Sequence, residues 1–146
     1  MTEHEVVVRY LCAHECGHLA VGIILGGVSF LRLEINPELG STSRVVWGRL
    51  VGSDSYRQAL RLAGGMAAEK LLYRGWFDLE GSDAEKIEEL GFSVEELVEE
   101  ANRLLKERRG AFLGLYRFVR GTVLSGQYSL RYLDLVEAGV LSPLAN

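Results

Sequence analysis

The chain is 146 residues long, 48% hydrophobic and 25% charged, with a formal net charge of −4. That length suits one domain with a real core, and the mildly acidic balance excludes a global pull toward nucleic acid or anionic membrane. The opening residues, MTEHEVVVRY, lack the basic start and apolar block of a signal peptide, and the longest apolar run, Leu19 to Leu31, is interrupted and too short to span a bilayer. The expectation is a soluble cytoplasmic protein.

Thr2-Glu3-His4-Glu5 fits a capping box and opens a helix predicted from Glu3 to about Leu25, ended by Gly26-Gly27. This helix carries His14-Glu15-Cys16-Gly17-His18, an H-E-x-x-H motif. Residues four apart on a helix differ by only about 40°, so both imidazoles leave one face and two nitrogens can grip one Zn²⁺. Glu15 lies about 100° round, within reach of a water on the metal as general base. Cys12 and Cys16 project from roughly the opposite face and read as buried, reduced thiols.

Val28 to Ile35 reads as a strand, Asn36 to Gly40 as a turn, and Arg44 to Val51 as a second strand. Ser53 or Asp54 can cap a helix through about Tyr73, which contains Gly64-Gly65 in its interior. A glycine costs a helix about 1 kcal/mol relative to alanine, so the doublet implies close helix packing. After a loop from Arg74 to Gly81, Ser82-Asp83-Ala84-Glu85 and Ser93-Val94-Glu95-Glu96 both read as capping boxes. Val94, Leu97, Val98, Ala101, Leu104 and Leu105 form one helical stripe, and further helices are predicted over Ala111 to Leu124 and Ser129 to Ala138. The fold class is mainly α (α+β), a single domain with a small sheet beside the first helix.

A catalytic zinc needs a third protein ligand and an open position for water. The only other histidine, His4, lies about 15 Å up the same helix and reads as a solvated first-turn residue. The third histidine of an extended H-E-x-x-H-x-x-G-x-x-H pattern would fall at Ile24, and a glutamate about twenty residues on would fall near Glu38, in a turn. With the cysteines facing away, a carboxylate remains. Glu69 and Asp83 stand out, one on the Gly64-Gly65 helix and the other at the start of the next.

H-E-x-G-H, a G-G-x-x-A-E helix, and a loop ending in a Gly/Ser segment with Asp opening a helix together resemble the peptidase domain of the FtsH family, over roughly residues 8 to 90. The zinc-site portion is then about residues 1–90 and a helical portion about 91–146. The resemblance implies Zn²⁺ on His14, His18 and Asp83, Glu15 as the catalytic base, and Glu69 close by, holding a ligand imidazole. Gly81-Ser82-Asp83 is shorter than the family's usual Gly-Ala-Ser-Asn-Asp, which keeps Asp78, Glu80 and Glu69 open as third ligands. The family joins this domain to membrane segments and an ATPase module, but the sequence holds no Walker A pattern. The implied activity is a zinc endopeptidase acting on unfolded or flexible protein, ATP-independent by itself. An unfoldase in trans and a homo-oligomer are the partners expected. By the same analogy an extended substrate would lie along Arg44 to Leu50, beside Val45, Val46 and Trp47. The alternative is a catalytically silent, zinc-stabilised peptide-binding or regulatory module.

Several residues carry two readings. Gly17 either clears space for the Asp83 segment or substrate, or lets helices pack closely. Glu69 is either a partner of a ligand imidazole or a salt-bridge residue. Asp83 in a first helical turn would be favoured by the helix dipole alone. Trp47 either lines a groove or packs in the core. Lys106, Arg108, Arg109, Arg117 and Arg120 read as a solvated face rather than a nucleic-acid surface.

Overall fold

The computed structural model describes residues 1–38, 42–50, 54–73 and 82–145. The chain runs α1 (Glu3–Leu25), β1 (Val28–Glu34), β2 (Arg44–Leu50), α2 (Ser55–Tyr73), α3 (Ser82–Glu89), α4 (Val94–Glu107), α5 (Arg109–Leu124), β3 (Ser129–Arg131), α6 (Tyr132–Glu137) and α7 (Ser142–Ala145). It is mainly helical with one small antiparallel sheet, as the sequence predicts. Among the described residues no helix is long and apolar enough to cross a membrane.

α1 is the central element. Thr2 caps it by accepting from the Glu5 amide at 3.1 Å. Gly26 and Gly27 end it with φ of 74° and 75°, a region that favours glycine. Beyond His18 it is apolar on every side, and Leu19, Ala20 and Val21 are all fully buried. Such a helix must be covered all round. α2 covers one side and runs antiparallel to α1: Tyr10 stacks near Tyr73, His14 meets Glu69, and Gly17 meets Gly64.

The Gly17–Gly64 crossing sets the distance between these helices. A Cβ on Gly17 would strike the Gly64 carbonyl and stand 2.6 Å from the Ala68 Cβ, while one on Gly64 would stand 2.5 Å from the Gly17 carbonyl oxygen. Close packing is thus the reading of Gly17 that these contacts bear out. The doublet divides its work, because a Cβ on Gly65 would stand 2.5–2.6 Å from the His14 ring.

α4 packs on the outer side of α2, where buried Asn102 donates its side-chain amide to the Ala67 carbonyl at 3.1 Å. Its predicted stripe is buried, and Ser93 caps it at the Glu96 amide. α5 packs on α1 through buried Phe112, Leu115 and Val119, and the Tyr116 hydroxyl meets the Tyr73 hydroxyl at 2.6 Å.

The sheet order is β2-β1-β3, with β2 and β3 both antiparallel to the central β1. The third strand corrects the helix expected from Ser129. Ser129, Leu130 and Arg131 alternate exposed, buried, exposed, and Leu130 pairs with Leu33. The helix begins only at Tyr132, where the Arg131 amide donates to the Asp134 carboxylate at 2.8 Å. Three residues of period-two pattern were enough to join a sheet because β1 already offered a buried edge.

Candidate metal centre

His14 and His18 leave α1 on the face turned toward α2 and α3. Their rings lie edge to face, with centroids 4.6 Å apart. Asp83, in the first turn of α3, completes a triangle. His14 Nε2 lies 3.0 Å from Asp83 Oδ2, His18 Nε2 lies 3.1 Å from the same oxygen, and the two Nε2 atoms are 3.0 Å apart. Two other contacts fix the rings. His14 Nδ1 meets Glu69 Oε1 at 3.0 Å, and His18 Nδ1 meets the Arg61 carbonyl at 2.6 Å.

These contacts determine where the protons sit. A backbone carbonyl only accepts, so His18 Nδ1 carries the proton and donates. A neutral His18 then presents a bare lone pair at Nε2. Glu69, as a carboxylate, imposes the same tautomer on His14. Two imidazole lone pairs and a carboxylate oxygen therefore point into one space about 3 Å across. That arrangement is repulsive unless a cation or a proton lies among them. Ligand bonds near 2 Å in tetrahedral geometry separate donor atoms by roughly 3.3 Å, close to this spacing. His14, His18 and Asp83 are thus positioned to hold a metal ion.

Without a metal, a proton fills the role. Burial alone would lower the His14 pKa, but hydrogen bonds to Asp83 and Glu69 outweigh it and raise the value to about 10. Burial likewise would raise Asp83, but the two imidazoles hold it well below the ordinary carboxylate range.

Glu15 is 7% exposed and lines the same cavity as the three donors. Burial is the largest influence on it and raises its pKa, with the two imidazoles opposing. The cavity has a volume of about 730 Å³. Its walls include Tyr10 and Leu11 of α1, Arg44, Val45 and Trp47 of β2, Arg61 and Leu62 of α2, and Lys86 of α3.

His14, Glu15, His18, Glu69 and Asp83 are brought together as the sequence predicts. Asp78 and Glu80, the other candidate ligands, lie outside the described residues. Val45 and Trp47 line the cavity, but Val46 is not among its lining residues. Trp47 serves both of its readings, since its ring also lies against the space left by Gly22 on α1. Cys12 and Cys16 are free and buried, and burial pushes the Cys12 thiol up to about 12. His4 is exposed. Of the basic group, Lys106, Arg109 and Arg117 are exposed, whereas Arg108 and Arg120 are half-buried, with Arg120 over the Tyr116 ring.

Sequence reasoning missed Arg61 and Lys86, and named Arg44 only as the start of the candidate substrate strand. Arg61, Gly65 and Glu69 recur every four residues along α2, the spacing that also unites His14 and His18. Lys86 lies three residues after Asp83. Both spacings are legible once the metal face of each helix is known.

Comparison with protein-family models and with curated proteins finds no match for this chain.

Proposed function

We propose that the protein is a zinc-dependent endopeptidase acting on unfolded or flexible protein chains. The observation that carries this reading is a buried glutamate, Glu15, on the wall of an open cavity beside a group of two histidines and one aspartate. Two imidazoles and one carboxylate are a donor set that zinc favours, and three protein ligands leave a fourth position for water.

When bound, zinc supplies Lewis-acid activation of a water and of the scissile carbonyl. The chain's own groups do the rest. His14, His18 and Asp83 hold the ion. Glu69 and the Arg61 carbonyl orient the imidazoles by holding each Nδ1 proton, which turns Nε2 toward the ion. The Glu15 carboxylate takes a proton from the attacking water and returns it to the leaving amine.

β2 is an edge strand, and Arg44, Val45 and Trp47 on it line the cavity. An extended substrate can add to such an edge through main-chain hydrogen bonds. Sequence resemblance to FtsH-type peptidases supports the same reading, and with it an unfoldase acting in trans and a ring-forming homo-oligomer. Glu15 weighs against a catalytically silent module, since a purely structural metal site needs no base opening onto a cavity.

The test is metal content and degradation of an unfolded protein by wild type and Glu15→Gln. The expected variant retains zinc and loses two to four orders of magnitude in rate. Equal cleavage by the two proteins overturns the assignment.

A further inference from the structure

Away from the metal cluster, the cavity wall is cationic. Arg44 arrives from the start of β2, Arg61 from α2 and Lys86 from α3. Among the described lining residues the carboxylates are Glu15, Glu69 and Asp83, and all three stand at the metal group. Every other charged side chain described on the wall is positive, in a chain whose net charge is −4.

The three cations are placed differently. Lys86 follows Asp83 by one helical turn, so it projects from the same side of α3 and borders the ligand group. Arg61 is only 6% exposed and its backbone carbonyl is the atom that meets His18, so it adds charge to this region rather than an open contact surface. Arg44 stands at the exposed strand edge, 3.6 Å from Glu34. Glu34 and Asp54 offset part of the charge of Arg44 and Arg61, and neither acid lines the cavity. With a divalent ion bound, the three carboxylates outweigh the ion by one charge, and the three cations reverse that balance. The described residues of the cleft then attract anions although the molecule as a whole repels them.

We propose that this cavity selects peptides carrying a carboxylate close to the bond to be cleaved, with Lys86 and Arg44 as its receivers. The inference rests on the peptidase reading and names its substrate class. Two sources supply that chemistry, an aspartate or glutamate side chain within the substrate and the substrate's own C-terminal carboxylate.

The test uses the zinc-loaded Glu15→Gln protein, so that binding is read without turnover. Fluorescent alanine-based peptides carry Glu, Gln or Lys at each position in turn, each with a free or an amidated C-terminus. Fluorescence anisotropy should show Glu peptides binding about tenfold tighter than their Gln counterparts at low salt, with the gap closing near 0.5 M salt. A preference for Glu over Gln that survives amidation identifies the side chain, and tighter binding of free than of amidated peptides, whatever the side chain, identifies the chain terminus. Adding Lys86→Glu should turn the preference toward Lys peptides, and the milder Arg44→Gln should reduce it, with zinc content and circular dichroism unchanged. Equal binding of Glu and Gln peptides together with equal binding of free and amidated ones overturns the proposal, as does a preference untouched by both variants. Failure of the peptidase reading shows separately, as wild-type protein that binds these peptides and cleaves none.

Discussion

His14 and His18 are held by different means, and the difference is measurable. The Glu69 carboxylate sets the His14 tautomer and is 6% exposed, so its loss leaves an imidazole without its orienting partner in a buried place. Glu69→Ala is expected to weaken zinc binding by about 10- to 100-fold, as measured by competition with a chelating dye. The proton adds a pH dependence of definite sign. His14 stays protonated up to about pH 10 in the metal-free protein, and only neutral imidazole ligates, so zinc displaces a proton and binds more tightly as pH rises through neutrality. Part of that slope should disappear in Glu69→Ala, because Glu69 is one of the groups raising the value. The ligand histidines and Glu15 were legible from spacing alone, since a period of four on a helix leaves few geometries. Asp83 was not, because its place near His14 depends on how α3 is delivered across a sequence separation of 65 positions or more. Lys86 was hidden for the same reason: its role follows from a cavity, and a sequence contains no cavities.

The spacing of α1 and α2 rests on two glycines without side chains. An alanine in a helix interior normally gains up to about 1 kcal/mol over glycine, whereas overpacking costs about 1–3 kcal/mol or more when backbone must move. At Gly17 the obstacle is backbone, the Gly64 carbonyl, so the cost should win. Gly17→Ala is expected to lose about 1–2 kcal/mol in urea unfolding and to weaken zinc binding by displacing His14 and His18. Gly114→Ala, in α5 with open space around it, should instead gain up to about 1 kcal/mol. Equal effects of the two changes would refute the packing argument. The bounds of α1 were readable because both ends carry signals, Thr2 and the glycine pair. The start of the last helical segment was not, because a strand as short as β3 is decided by the free edge of β1 rather than by its own propensity.

At the scale of the molecule, the metal group clasps α1 to α3, whose donors are 65 and 69 residues apart in sequence. A ligand that binds only the folded state stabilises it by mass action, by about 2.7 kcal/mol at a hundredfold excess over its Kd. For a chain of this length that corresponds to a rise in Tm of roughly 5–10 °C. Zinc is therefore expected to raise Tm by that amount in calorimetry, with EDTA reversing the shift and His18→Ala abolishing it. A Tm indifferent to zinc would mean that the three donors do not act together. The mainly helical architecture with its small sheet needed no metal to be inferred, because helical stripes and caps are local. Only the pairing of distant ligands required the fold.

The bond from His18 to the Arg61 carbonyl has one more consequence. Its acceptor belongs to the peptide chain, so every amino acid at position 61 supplies it equally. An alanine scan would rank Glu69 as essential and would be blind to this second brace, although both do the same work. Only a change in the path of α2 can remove it, such as a proline that bends the helix. Half of the alignment of this candidate metal site is thus written in helix geometry and shielded from side-chain truncation, and the other half is exposed to it at Glu69.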